Sequence, residues 1–150
     1  MRYFSNLFSN QKSVLGYTAG VFDLFHVGHL NLLRSAKGLC SKLVVGVSVK
    51  ELVELKNKSE VIPFEERLQI VQSVKYVDLA IPQTNFDKFE AWKRFHFDIL
   101  FVGDDWYKDV KWKDYEKLLS EVGVKIIYLP YTKSTSSTLI NQTLMNIRLK

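Results

Sequence analysis

Five short apolar runs, each separated from the next by a stretch of polar or helical character, constrain the fold of this chain more than any other feature of its sequence. The runs are SVLGYTA (13–19), LVVGVSV (43–49), LAI (79–81), ILFVG (99–103) and VKIIYL (124–129). They are rich in β-branched residues and mostly apolar on both faces, as strands covered by helices on either side should be. Between them, apolar residues recur at helical spacing: Leu30, Leu33 and Ala36; Leu68 and Val71 behind Pro63; Phe86, Phe89 and Trp92; Tyr115, Leu118 and Leu119. Alternating strand and helix implies parallel strands joined by right-handed crossovers. The pattern therefore predicts an α/β fold, a doubly wound five-stranded parallel sheet with helices on both faces, closed by a helix from about Ser136 onward. In such a sheet ligands bind outside the carboxyl ends of the strands, where the strand order reverses.

Composition narrows the function classes. A length of 150 residues accommodates one domain, expected over 13–150 behind a 12-residue N-terminal extension, MRYFSNLFSNQK. With 47% apolar and 13% aromatic residues the chain has ample core material and does not read as disordered. Lys and Arg total 21 against 16 Asp and Glu, and the resulting +5 favours anionic ligands. No basic-aromatic stripe points to nucleic acid, so phosphate-bearing small molecules are the simpler partners. A single cysteine, Cys40, excludes disulfide scaffolds and thiolate metal cages, fits a reducing compartment, and reads as a small core residue of the first helix. No run approaches the roughly 20 apolar residues of a membrane span, and the start lacks a signal-peptide pattern. A cytoplasmic protein without membrane insertion is expected.

The unusual residues follow the strands. After the first comes GVFDLFHVGHLNLL (20–33), in which Gly20 ends the strand, and His26 and His29 bracket Gly28 at a helix start. Unpaired N–H groups there, a glycine without Cβ and two imidazoles on one face can cradle phosphate. Two structural histidines, or a metal pair, are the alternatives; no third ligand is evident, and catalytic zinc pairs on helices favour i, i+4 spacing.

HVGH resembles the HxGH signature of the cytidylyltransferases in the nucleotidyltransferase superfamily. The likeness continues through ERLQIVQSVKYVD (66–78), FVGDDW (101–106) and YTKSTSSTLI (131–140), and is closest to the small bacterial glycerol-3-phosphate cytidylyltransferases with their HxGH, RYVD, GDDW and RTxGIST patterns. It implies a Rossmann-like fold and transfer of CMP from CTP, with Mg2+, to a small phosphorylated alcohol, foremost sn-glycerol 3-phosphate, giving CDP-glycerol and pyrophosphate. A homodimer is implied too. The rivals are an adenylyltransferase using ATP on a phosphorylated cofactor precursor and a non-catalytic nucleotide-binding module.

Carried over residue by residue, the resemblance assigns catalysis to His26, His29 and Lys56. It assigns the nucleotide to Gly20, Val21, Phe22, Asp23, Gly28, Lys58, Asp105, Thr135, Ser136, Ser137 and Thr138, and the acceptor phosphate to Arg67 and Lys75. Asp23 could instead brace its turn, and Trp106 would wall the site. Without the resemblance, Lys56 and Lys58 read as solvated lysines, and the hydroxyls as a helix cap. Two departures stand out: Tyr131 occupies the place of the pattern's arginine, with Lys133 nearby, and Ser134 that of its glycine.

Overall fold

The apolar runs form the five strands of one parallel sheet: β1 (Leu15–Gly20), β2 (Lys42–Ser48), β3 (Leu79–Gln83), β4 (Ile99–Gly103) and β5 (Lys125–Leu129). The structure is a computed structural model that describes residues 12–103 and 110–149. Among the described residues six helices connect and close the sheet: α1 (Val27–Lys37), α2 (Lys50–Glu54), α3 (Phe64–Gln72), α4 (Lys88–Phe95), α5 (Val110–Glu121) and α6 (Ser137–Arg148). The strand order is β3-β2-β1-β4-β5, the Rossmann-like arrangement expected from the alternation.

Side-chain alternation divides the apolar strand residues between two core layers. Leu43, Val45, Val47 and Phe101 pack with Leu33, Ala36 and Val71 on one face. Val44, Leu100 and Val102 pack with Tyr17, Phe97, Trp112 and Leu119 on the other. Tyr17 and Phe97 stack with centroids 5.0 Å apart. The sheet is tight at its centre: a Cβ on Gly16 would lie 2.7 Å from the Phe101 ring and 2.8 Å from Cys40 Sγ.

The site is positioned by a split in this sheet. β1 pairs with β2 along its whole length, from Leu15 opposite Lys42 to Gly20 opposite Val47. It pairs with β4 only through Gly16 with Ile99 and Tyr17 with Leu100. Beyond Tyr17 the strands part, with the Thr18 hydroxyl donating to the Phe101 carbonyl at 3.0 Å, and a crevice opens at the carboxyl ends where the chain switches direction.

Some local expectations shift. β3 runs two residues past LAI, tolerating an exposed Pro82 because it is an edge strand. Phe86 precedes α4 instead of belonging to its apolar stripe, because Asp87 caps that helix and so fixes its start. Cys40 lies beyond α1, half-buried, its thiol toward the Ala36 carbonyl. Of the expected extension only Lys12 is described. Among the described residues no helix is long and apolar enough to cross a membrane.

Candidate active site at the carboxyl edge

The loop after β1 is strained and held. Phe22 and Leu24 adopt left-handed backbone conformations, φ 55 and 49, which cost a non-glycine residue roughly 1–3 kcal/mol each. Several partners over-determine this shape. The Asp23 carboxylate accepts from the backbone N–H groups of Val61 (2.7 Å), Ile62 (2.9 Å) and Leu24 (3.0 Å). The Ser137 hydroxyl donates to the Asp23 carbonyl, and Arg67 donates to the Val21 carbonyl at 2.7 Å.

The loop delivers the histidine pair. His26 is the N-cap of α1: its Nδ1 accepts from Gly28 N–H at 3.0 Å, while its own N–H donates to Nδ1 of His29 at 3.2 Å. Each Nδ1 thus serves as an acceptor, which leaves each neutral ring its proton on Nε2, free to donate to a ligand. Gly28 is demanded by closeness, since a Cβ there would lie 2.7 Å from the His26 ring. Burial, with the His26 charge second, pushes the His29 pKa down to about 4 although Asp23 opposes the shift. Burial lowers His26 as well, so both rings are neutral donors at pH 7. The structural role weighed as an alternative for the pair is thus present, and it leaves Nε2 of each ring as the donor.

Two cavities meet at His29. The narrow one, about 320 Å3, lies over the carboxyl ends of β1 and β4 and is walled by Phe22, Phe86, Phe101, Trp112 and Tyr115, with Lys56 and Lys88 on its lining. The wide one, about 980 Å3, is bordered by Asp23, Lys58, Ser59, Ser137, Thr138 and Asn141. His29, Val21, Phe22 and Tyr131 border both. Lys56 and Lys58 therefore serve different cavities, with the left-handed Asn57 (φ 55) between them. The Lys56 ammonium lies 4.7 Å from the Phe86 ring centroid; desolvation and then the Lys58 charge lower its pKa.

The start of α6 covers the histidine loop. Ser136 is its N-cap, the hydroxyl accepting from Leu139 N–H at 3.0 Å, while Ser137 reaches Asp23 and the Thr132 hydroxyl accepts from Asn31 at 3.0 Å. The Thr135 carbonyl comes close to Gly28, within 3.5 Å of the place a Cβ would occupy. Thr138 borders the wide cavity. Ser134 is not among the positive-φ residues, so serine replaces the pattern's glycine without backbone strain. Tyr131, in place of arginine, packs its ring on Gly103 at the junction of the cavities, and Lys133 is exposed and lines neither.

Two expectations need correction, and for Asp23 the hydrogen bonds favour the bracing alternative. Arg67 is fully buried and its guanidinium is engaged: Nε donates to Ile62 O at 2.9 Å, Nη1 to Val21 O and Ser48 O, and Nη2 pairs with Glu60. It braces the loops under the site instead of meeting an acceptor phosphate. Lys75 precedes β3, on the amino edge of a parallel sheet; neighbouring Asp78 bonds Leu43 N–H at the start of β2, and the Lys75 ammonium rests 5.1 Å from the Tyr76 ring centroid. The whole strand separates it from the histidines. Asp23 spends its carboxylate on backbone N–H groups, as a brace. Asp104, Asp105 and Trp106 of GDDW lie outside the described residues. Sequence reasoning missed Lys88, though a lysine directly after a capping aspartate, at the end of a helix that disfavours cations, was a readable signal.

Comparison with known proteins agrees with this geometry. Residues 17–143 match the model of the family described as cytidylyltransferase-like. The chain is 35% identical over 134 residues to glycerol-3-phosphate cytidylyltransferase of Staphylococcus aureus (strain NCTC 8325 / PS 47), covering 89% of this chain and 95% of that protein. It is 33% identical over 125 residues to FAD synthase of Thermococcus sibiricus (strain DSM 12597 / MM 739), covering 82% and 84%. In fold it is similar to the lipopolysaccharide core biosynthesis protein from Thermoplasma volcanium GSS1, with TM-score 0.69, 23% identity, and coverage of 83% of this chain and all of that one.

Proposed function

The chain belongs to the cytidylyltransferase-like family of nucleotidyltransferases, and from that premise we propose that it transfers CMP from CTP to sn-glycerol 3-phosphate, forming CDP-glycerol and pyrophosphate. The observation that carries this reading is His29 as the common wall of two cavities, one fit for a triphosphate and the other for its acceptor. The acceptor phosphate oxygen attacks the α-phosphorus of CTP; a new P–O bond forms, and the α–β bridging bond breaks as pyrophosphate leaves. A phosphomonoester has its second pKa near 6, so the attacking oxygen is already ionised and no general base is needed. Neutral His26 and His29 donate Nε2–H to phosphate oxygens as charge builds at the α-phosphorus, and Lys56 adds positive charge from the acceptor side. Lys58, Gly28 and the hydroxyls of Ser137 and Thr138 border the triphosphate.

Among the described residues no group of three His, Cys, Asp or Glu side chains converges to hold a metal, and Asp23 is committed to N–H groups. Magnesium belongs to the proposal as part of the substrate, MgCTP, supported by the resemblance. A homodimer and a cytoplasmic setting belong to it as well, supported by the resemblance.

A second reading is adenylyl transfer from ATP to FMN. The aromatic walls of the narrow cavity favour it, as does the likeness to an archaeal FAD synthase. The deciding experiment mixes the purified protein with CTP or ATP, magnesium and inorganic pyrophosphatase, and follows phosphate release over sn-glycerol 3-phosphate, phosphocholine, ribitol 5-phosphate and FMN. CTP with sn-glycerol 3-phosphate is expected to give the highest kcat/KM. ATP with FMN in that place would establish the second reading, and no turnover with any pair would leave a nucleotide-binding module.

A further inference from the structure

Gln83 is the last residue of β3, and its backbone and side chain are both anchored to the end of β2. It pairs with Ser48, its carbonyl accepts from Val49 N–H at 3.1 Å, and its Oε1 accepts from the Ser48 hydroxyl at 2.8 Å. Arg67 in turn donates to the Ser48 carbonyl at 2.8 Å, so the amide rests on the buried brace under the site. With Oε1 engaged, Nε2 is left with two hydrogens to donate. It meets no partner among the described residues, although Gln83 is only 7% exposed. No fully covered side-chain nitrogen or oxygen among the described residues lacks a hydrogen bond, so Nε2 faces open space. Gln83 borders two openings, the narrow cavity and a hollow of about 180 Å3 between β3 and α4, and of these the narrow cavity also holds His29.

Three side chains with polar atoms on the narrow cavity's lining are more than nine-tenths buried: Thr18, Trp112 and Gln83. The Thr18 hydroxyl donates to the Phe101 carbonyl at 3.0 Å and the Trp112 indole N–H to the Tyr128 hydroxyl at 2.8 Å. Gln83 is the one of the three that keeps donors open. The ammonium groups on the same lining, Lys56, Lys88 and Lys111, answer an anionic group, whereas a neutral amide answers an uncharged hydrogen-bond acceptor. A ligand that fills the cavity must supply that acceptor or leave the amide buried and unpaired, which is costly. An alcohol hydroxyl can supply it. An alkyl carbon or an ammonium nitrogen cannot.

We propose that Gln83 Nε2 donates to a hydroxyl of the acceptor's alcohol in the narrow cavity, making Gln83 a specificity-determining residue that selects hydroxylated phosphomonoesters over alkyl and ammonium ones. The word acceptor rests on the transfer reaction proposed above; the hydroxyl preference of the cavity does not.

The test compares sn-glycerol 3-phosphate with propyl phosphate, the same carbon chain without hydroxyls, on wild type, Gln83→Met and Gln83→Glu, with melting temperatures taken alongside. In turnover with CTP, wild type should favour sn-glycerol 3-phosphate by roughly tenfold or more in kcat/KM. Gln83→Met, similar in length but without a donor, should lower kcat/KM for sn-glycerol 3-phosphate about three- to tenfold and that for propyl phosphate less than about twofold, the loss of one neutral hydrogen bond. Gln83→Glu keeps an oxygen for Ser48 and turns a carboxylate oxygen to the cavity, so the kcat/KM ratio of phosphoethanolamine to sn-glycerol 3-phosphate should rise about fivefold or more. A merely structural glutamine would lower the melting temperature and move all substrates together. A wild type that uses both phosphates equally, a Gln83→Met variant that loses both in parallel or neither, or an unmoved ratio in Gln83→Glu overturns the proposal. Wild type and Gln83→Met are also titrated by calorimetry with sn-glycerol 3-phosphate and propyl phosphate in the absence of nucleotide. A hydroxyl preference that Gln83→Met reduces, in a protein without turnover, sinks the transfer reaction and leaves the Gln83 contact standing; a wild type without that preference overturns the contact itself.

Discussion

At the scale of single residues, the site depends on which ring nitrogen carries the proton. Because Nδ1 of His26 and of His29 each accepts a backbone N–H, replacing either ring by alanine removes an Nε2–H donor, and kcat should fall by about two orders of magnitude, as for loss of one oxyanion donor. Steady-state kinetics with circular dichroism as the folding control checks this. Protonation is a second handle. The fold holds His29 neutral to about pH 4, whereas an unfolded chain protonates it near 6.5. Between those values the unfolded state binds more protons, so stability falls as pH drops from about 6.5 toward 4 and levels off below. His26 acts in the same direction, and Asp23 on the same loop opposes. Urea unfolding across pH 4–7 should show this slope in wild type and a shallower one in His29→Asn, whose amide oxygen can still accept from the His26 N–H. Arg67→Met should cost about 3–5 kcal/mol, because it leaves Glu60 charged and unpaired and orphans three carbonyls. A melt that shows no loss would restore Arg67 as a ligand-facing residue. The histidine pair was legible because its geometry is local, within one helical turn. The role of Arg67 was not, since its partner Val21 lies 46 positions away.

Among the elements, α6 carries the clearest separation of structural from binding roles. Ser136 caps the helix, so Ser136→Ala should lose about 1 kcal/mol of stability. Ser137 borders the wide cavity and ties α6 to the histidine loop, so Ser137→Ala should raise the KM for nucleotide more than it lowers the melting temperature. Equal nucleotide affinity in Ser137→Ala would leave α6 as a brace only. The start of α6 could be read in advance because a run of Ser and Thr before an apolar stripe is a local signal of a cap. The start of α4 could not be read from apolar spacing: Phe86 continues the period of Phe89 and Trp92, yet the Asp87 cap excludes it from the helix and leaves it under Lys56 in the cavity wall.

For the whole molecule, the parting of β1 from β4 beyond Tyr17 is what creates a site, and the sheet is tightly packed where the two strands still pair. Gly16→Ala tests that centre: a methyl between Phe101 and Cys40 should destabilise the fold by roughly 1–3 kcal/mol, measured by chemical denaturation, and an unaffected midpoint would mean that the layers can yield. The sequence by itself determined the strands, the parallel sheet and the histidine pair at its carboxyl edge, because alternation, caps and motif spacing act within a few residues. It also held the means to place Lys75 correctly, since a residue just before a strand lies on the amino edge of a parallel sheet. Only the tertiary structure decided that Arg67 is a buried brace, that Lys56 and Lys58 face different cavities, and that Lys88 joins Lys56 at one of them. Burial and charge environment depend on which distant segments converge, and convergence is a property of the packed sheet and its connections, not of any window along the chain.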